Sequence, residues 1–314
     1  MSSIENMIWS EQYRPKKIDD CILPKATKSK LHEFISKKEL PHLLLSGPAG
    51  TGKTTSALAL CNELGYEYLV INGSLEGRLL DTLRSKVTDF ASGVSFDGVR
   101  KAIILDEADF MLQDPQAALR NMIDSLGKNC TFILTANFPN KIIEPLHSRC
   151  SSIDFTIPST ERKDLMMNVA KRVFTILTKE NVTFDKTVVV NVIKQYFPDF
   201  RRTLNELQAM SGSGVIDQET ASVASNNDIA NLVEIMKSSN WNNMRTWVAQ
   251  NPHVDIVVLS RKLFDGSDAF FKADSVPQFV LLASQYQYKS SFVQDKEINT
   301  VAFLTEVMVN CDWE

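Results

Sequence analysis

Long apolar runs are missing from this 314-residue sequence. Runs such as AIIL at 102–105 and FVLLA at 279–283 fall far short of the roughly 20 residues that a bilayer-spanning helix needs, so no membrane span is expected. The opening MSSIENMIWSEQYRP has no basic stretch leading into an apolar one, so no secretory signal is expected and the chain reads as cytosolic. Cysteine is scarce: Cys21, Cys61, Cys130, Cys150 and Cys311 are odd in number and show no C-x-x-C spacing. That excludes a paired disulfide framework and a structural zinc site, and it fits a reducing compartment. Glycine and proline number only 12 and 11, leaving no low-complexity linker. Basic charge is not in excess either. Lys and Arg total 34 against 38 Asp and Glu, a formal net charge of -4, which excludes a surface coated in positive charge while leaving room for a local basic stripe. What remains is ordinary globular composition, 44% hydrophobic and 23% charged, enough for about two domains.

From Pro41 onward short apolar runs alternate with helical stretches: LLLS at 43–46, YLVING at 68–73, KAIILD at 101–106 and TFILTAN at 131–137. Runs apolar throughout are the mark of parallel strands buried on both faces. The segments TTSALALCNEL, LLDTLRSKVTDFAS and PQAALRNMIDSLG between them repeat their apolar residues at three and four. Strand and helix in alternation predict an α/β domain with a parallel sheet. After SSIDF and the Ile157-Pro158 break the alternation stops and the chain reads as helical. The segment 161–180 puts Leu165, Val169, Val173, Ile176 and Leu177 on one stripe, and shorter helices follow at TVVVNVIKQY and RRTLNELQAM. SGSG at 211–214 closes the last of these, and Asp228 reads as the N-cap of the next helix. The expected division is an α/β domain at 1–155, a small helical lid at 156–225 and a helical domain at 226–314. The last of these reads as a packed bundle that also serves for oligomerisation.

The strongest chemical signal is GPAGTGKT at 47–54, which fits G-x-x-x-x-G-K-[ST] and lies between a strand and a helix, as the motif requires. Gly47, Gly50, Thr51 and Gly52 let backbone N–H groups converge on phosphate oxygens, and the helix that follows adds its positive end. Lys53 then neutralises β- and γ-phosphate charge, Thr54 offers its hydroxyl to Mg²⁺, and Thr55 continues the turn. About 50 residues on, AIILDEAD ends a strand with Asp106 and Glu107. A phosphate-loop ATPase needs one carboxylate there for magnesium and another to orient water. Asp109 reads as solvated or as a helix cap. Asn137 reaches the carboxyl edge of the sheet, where it either bridges the γ-phosphate and the attacking water or caps a loop. Arg149 in Ser148-Arg149-Cys150 and Arg201 in PDFRR are each either a stabiliser of transferring phosphate charge or a surface ion-pair partner.

Together these motifs resemble those of the AAA+ ATPases, specifically the clamp-loader branch exemplified by replication factor C. WSEQYRP at 9–15 is similar to the W-x-E-K-Y-R-P segment of that family, with Gln12 where Lys is usual. The order DDCILP, GPAGTGKT, SFDG, DEAD, LTAN, SRC, PDFR is similar to phage-type members and covers nearly the whole chain. The resemblance implies a P-loop AAA+ domain, a helical lid and an all-helical collar, with ATP and Mg²⁺ as ligands. It implies that Gln12, Tyr13 and the Cys21-Ile22 stretch line an adenine pocket, that Asn137 and Arg201 sense the phosphates, and that Arg149 acts on a neighbouring subunit's ATP. Gln116 resembles a position coupling the region of Asp106 and Glu107 to DNA, and Asn72 a polar switch restraining Glu107. The family pattern N-A-S-D-x-R-G-I stands here as NGSLEGRLL, with an extra residue before Arg78 and Leu79 in place of Gly. Arg78, Arg84 and Lys86, with Arg100 further out, are expected to track DNA phosphates on the inner face of a spiral.

The expected function is that of an ATPase subunit of a sliding-clamp loader. Its expected partners are the clamp, primer-template DNA and other loader subunits, four copies with one different subunit, in the cytoplasm of a phage-infected bacterium. Exposed-looking Phe110, Met111 and Leu112, together with the helix at PQAALRNMIDSLG, either meet the clamp through an apolar wedge or pack in the core. Another AAA+ motor such as a helicase loader, or a non-hydrolysing scaffold subunit, are the competing functions. A DEAD-box helicase, which the literal DEAD at 106–109 suggests, needs a second α/β domain that the helical remainder does not supply.

Overall fold

The four apolar runs, joined by a fifth, form one parallel sheet. In the computed structural model, which describes residues 8–74, 80–93, 98–217, 229–251, 254–290 and 292–314, the strands are β1 (Leu43–Ser46), β2 (Glu67–Asn72), β3 (Lys101–Asp106), β4 (Cys130–Ala136) and β5 (Ser151–Asp154). Their order is β2-β3-β4-β1-β5, and every pair is parallel. The helices of this part are α1 (Trp9–Gln12), α2 (Lys25–Lys37), α3 (Lys53–Leu64), α4 (Leu80–Ser92), α5 (Gln113–Leu126) and α6 (Glu144–His147).

Side chains alternate across a strand, so an unbroken apolar run supplies both faces at once. On one face Leu43, Leu45, Ala102, Ile104, Ile133 and Ile153 pack with Leu31 of α2 and Ala57 and Leu60 of α3. On the other, Leu44, Ile71, Ile103, Leu105, Phe132 and Leu134 pack with Leu83 and Val87 of α4 and Leu119 and Ile123 of α5. All of these are buried. Central strands with both faces covered hold their carboxyl ends in fixed relative positions, and the functional loops leave from those ends.

After the sheet come α7 (Arg162–Lys179), α8 (Lys186–Tyr196) and α9 (Phe200–Met210). The stripe Leu165, Val169, Val173, Ile176, Leu177 of α7 is buried in full. Asp185 and Asp199 N-cap α8 and α9, their carboxylates accepting the N–H of Thr187 and of Arg202. Sequence periodicity missed a two-stranded parallel ladder here, β6 (Thr183–Phe184) with β7 (Val215–Ile216), because two residues carry no period. The chain divides into two compact units, Met1–Thr220 and Ala221–Glu314. The sheet and α7 to α9 therefore share one unit, and Asp228 lies outside the described residues.

The second unit is helical at Ile229–Lys237, Trp241–Gln250, Ile256–Asp265, Ser267–Phe270, Val276–Ser290 and Lys296–Asn310. Phe271 stacks on Phe279 at 4.9 Å between ring centroids, and Phe279 and Tyr286 both meet Phe303. Leu281, Tyr288, Phe292, Ile298 and Val309 stand exposed on it. All five cysteines are buried and free, in keeping with a chain built without disulfides. No described helix is long and apolar enough to cross a membrane.

Phe132 is wholly buried at the middle of the sheet, its ring 5.6 Å from that of His42. Phe132→Ala should cost about 3–5 kcal/mol in denaturant unfolding of the first unit. Leu112→Ala, at an exposed position, should cost under about 0.5 kcal/mol in the same measurement.

Candidate functional site

The loop 47–52 connects β1 to α3 and turns the amino end of that helix into a cavity. Gly50 makes the turn possible. Its φ is +70°, and a Cβ there would lie 1.9 Å from the Asp199 carboxylate oxygen at the start of α9. Backbone therefore meets the lid at a distance no side chain allows, and Phe200 N–H donates to the Gly50 carbonyl at 3.2 Å. Lys53 opens α3 and is buried. Its ammonium donates to the carbonyls of Gly47 (2.7 Å) and Pro48 (2.8 Å) and to Asn137 Oδ1 (2.7 Å). Burial brings its pKa down to about 8, with Asp109 and then Asp106 pulling the other way.

Strand β3 delivers Asp106 to the same cavity. Asp106 Oδ1 accepts from the hydroxyls of Thr54 (2.5 Å) and Thr135 (2.7 Å). A hydroxyl and a carboxylate meeting beside a lysine and a helix amino end are hard oxygen donors suited to Mg²⁺ on a phosphate, so these residues fit that ion. Glu107, which also lines the cavity, is held with φ +56°. Its N–H donates to Thr135 Oγ1 at 3.0 Å. Opposite it, Gly73 passes so close that a Cβ would sit 2.5 Å from the Glu107 carbonyl oxygen. Asn72 stands beside Asp106 in the β2–β3 register, but its side-chain oxygen accepts from the N–H and hydroxyl of Ser74. No hydrogen bond joins it to Glu107 among the described residues.

Asp109 corrects the sequence reading. It is neither solvated nor a helix cap: it is 4% exposed, and its Oδ2 accepts the N–H groups of Asn137 (3.2 Å) and Phe138 (3.1 Å). That carboxylate fixes the backbone carrying Asn137, whose side chain then meets Lys53. Its other oxygen, Oδ1, is buried without a partner. Gln116, buried on α5, donates to the carbonyls of Met111 and Lys141 and accepts from Ile143 N–H, tying the loop after β3 to the loop after β4. Of the trio after β3, Met111 takes the core-packing alternative, buried under α5, while Phe110 and Leu112 stay exposed.

The same cavity is lined by Tyr13, Cys21 and Ile22 and by Arg172 and Ile176 of α7. Gln12 is not among the lining residues. It sits at the end of the short helix α1 with its amide toward Glu180 at 3.5 Å, which corrects the expectation that it lines the pocket. The Tyr13 hydroxyl donates a short hydrogen bond to that same carboxylate, and this bond raises the phenol pKa to about 12. Arg172, which periodicity gives no reason to single out, donates to the carbonyls of Asp20 and Tyr13, each at 2.8 Å. Arg201 reaches the cavity from the first turn of α9. Gly50, Thr51, Gly52, Thr54 and Thr55 line it too, while Gly47 takes part through its carbonyl.

Arg149 is elsewhere. It follows α6 and is held by Asp124 of α5, outside the lining of this cavity. Arg84 and Lys86 are exposed on α4, Arg78 lies outside the described residues, and Arg100 is turned toward Glu39, Tyr66 and the Lys38 carbonyl at the amino edge of the sheet. The structure thus gathers Tyr13, Ile22, Lys53, Thr54, Asp106, Glu107, Asn137 and Arg201, and leaves Arg149, Arg84 and Lys86 outside.

Residues 43–158 match the model of the ATPase family associated with various cellular activities (AAA). Residues 161–222 match the lid domain of the AAA+ ATPase known as the sliding-clamp-loader large subunit. The chain is 39% identical over 244 residues to the sliding-clamp-loader large subunit of Escherichia phage RB69, and 38% identical to that of Enterobacteria phage T4, each match covering 76% of both chains. It is 32% identical to a replication factor C small subunit of Sulfolobus acidocaldarius across 98% of both. Among solved structures a RuvB mutant from Thermotoga maritima shares the fold, with a TM-score of 0.53 at 19% identity over 67% of this chain and 72% of that one.

Two measurements follow from the loop and its lysine. Gly50→Ala should cost about 1–3 kcal/mol of stability from the positive φ alone and weaken nucleotide binding through the collision with Asp199, both readable by thermal unfolding with and without ATP. An anionic ligand drives Lys53 to its charged form, so binding at pH 8, where its pKa lies, should take up about half a proton, and less as pH falls to 7. Titration calorimetry in buffers of different ionisation enthalpy reads that uptake directly.

Proposed function

This chain belongs to the clamp-loader family of AAA ATPases, and we propose that it breaks ATP at a seam between two subunits, each supplying half of the machinery. The supporting observation is the separation just described: the carboxylates, the lysine and Arg201 line one cavity, whereas Arg149 projects from another part of the same unit.

In this reading the base lies against Tyr13 and Ile22, and the triphosphate runs along the amino end of α3. Lys53 and the loop N–H groups hold its β- and γ-oxygens. Thr54 and Asp106 would hold Mg²⁺, and the ion would supply positive charge against the phosphates when bound. Glu107, whose backbone is fixed by Thr135 and Gly73, orients the attacking water and takes its proton. Asn137, braced by Asp109, and Arg201, from the lid, fix the γ-phosphate against that water. Charge that develops during transfer is met by Arg149 of a second subunit, so hydrolysis requires assembly.

Assembly with the clamp and with primer-template DNA then gives the cycle its direction. ATP binding builds a spiral that opens the clamp, and DNA entering the spiral aligns Arg149, so hydrolysis releases the closed clamp on DNA. Arg84 and Lys86, with Arg78, are the candidate phosphate contacts along that path. Exposed Phe110 and Leu112 on the loop after β3 suit a hydrophobic clamp pocket. The apolar side chains exposed on the second unit, Leu281 and Phe292 among them, suit a collar of packed subunits, four copies with one different subunit. A full set of phosphate-binding and carboxylate side chains argues against a scaffold that does not hydrolyse, and dependence of turnover on clamp and primed DNA separates this loader from other AAA+ motors.

In the reconstituted assembly Glu107→Gln should keep ATP bound and lose turnover. Arg149→Ala should also lose turnover, at least about 100-fold, with ATP affinity of the isolated chain unchanged. Normal hydrolysis by Arg149→Ala, or turnover indifferent to both clamp and primed DNA, contradicts the scheme.

A further inference from the structure

We infer that Asp124 is a positioning residue for Arg149, holding its guanidinium ready for the neighbouring subunit's phosphate; the inference rests on the shared-seam reading above. Asp124 takes Arg149 Nε at 2.7 Å on one carboxylate oxygen and Nη2 at 2.9 Å on the other. The Pro145 carbonyl takes Nη1 at 2.9 Å. A guanidinium has five N–H groups, so this grip uses three and leaves two to meet an anion.

Both halves of the pair are mounted on the core. Arg149 lies between Leu146 and Cys150, and Asp124 follows Ile123, and these three neighbours are buried in one apolar cluster under α5. The arginine is two residues beyond the short helix α6, where Arg149 N–H and Cys150 N–H both return to the Leu146 carbonyl. Backbone position is therefore set by packing, and the side-chain torsions are set by the carboxylate and the carbonyl. The two side chains remain partly open, 31% and 51% exposed. An ion pair that open to water adds little to folding stability, so stability gives no account of a two-pronged geometry with a third bond. Orientation does. A long, flexible arginine must otherwise give up its rotamer freedom each time it meets phosphate, and a preformed grip removes that cost in advance. Asp124 lines no part of the chain's own nucleotide cavity, so its effect falls on turnover rather than on nucleotide binding.

The test is single-turnover and steady-state ATP hydrolysis by the assembled complex with clamp and primed DNA, using Asp124→Ala, Asp124→Asn and Asp124→Glu, each also combined with Arg149→Ala. Asp124→Ala should lower kcat about 10-fold with KM within about twofold, the scale expected for a misplaced catalytic group. Asp124→Asn should fall between it and the parent, and Asp124→Glu should restore most of the rate. In the Arg149→Ala background the Asp124→Ala change should have no further effect, which a merely structural role would not produce. Thermal unfolding of each variant should match the parent. Unchanged or increased kcat in Asp124→Ala, or an equal loss with and without Arg149, overturns the inference; an increase would make Asp124 a restraint on the arginine. Parent-like hydrolysis by Arg149→Ala alone instead overturns the seam reading and leaves nothing for Asp124 to position.

Discussion

The buried ammonium of Lys53 is the interaction on which the rest of the site depends. Its three donors reach the Gly47 and Pro48 carbonyls and the Asn137 side chain, so one cation joins the loop after β1 to the end of β4. Removing a charge from water is costly unless partners replace the lost hydration, and burial accordingly brings its pKa down to about 8. The neighbouring carboxylates offset part of it. Asp106 is braced by two hydroxyls and Asp109 by two backbone N–H groups, so each negative charge is oriented by the fold before any ligand arrives.

Such a cluster needs a platform that does not yield. The sheet provides it by burying β1, β3 and β4 on both faces, with alternate residues of one strand belonging to opposite clusters. Three strands thus end side by side with Ser46, Asp106 and Ala136 at their tips. Glycine does the remaining work where backbone must approach backbone: Gly50 against the lid and Gly73 against Glu107. The lid in turn contributes Asp199, which caps α9 and sits against the phosphate loop, so the helix carrying Arg201 starts at the loop it serves.

Much of this was legible in the sequence, because strong periods and strong motifs survive without tertiary context. The buried strands β1, β3 and β4, the stripe of α7 and the grouping of Lys53, Thr54, Asp106 and Glu107 follow from apolar runs and motif spacing. Properties that depend on what lies across the fold were not legible. Asp109 looks like any acidic residue at a helix start until Asn137 and Phe138 arrive from another strand. Met111 reads as part of an exposed trio, yet packing under α5 takes it and leaves its neighbours out. Gln12 turns toward Glu180, some 170 residues away in sequence. Asp199 was the exception among the missed residues, since an aspartate just ahead of FRRTLNEL carries a local N-cap signal. Thr135 had a weaker one, a hydroxyl inside an otherwise apolar strand.

The segment before α2 is fastened to three residues of the lid. Trp9 N–H meets Gln208, the Tyr13 hydroxyl meets Glu180, and Arg172 gathers the carbonyls of Tyr13 and Asp20. A door hung this way cannot swing without dragging its frame, because the segment that carries Tyr13 and the helices that carry Arg172 and Arg201 are stitched into one piece. A displacement of Tyr13 is thereby passed to Arg172 and Glu180, so the early segment and the helices that carry Arg201 travel as a single mechanical coordinate.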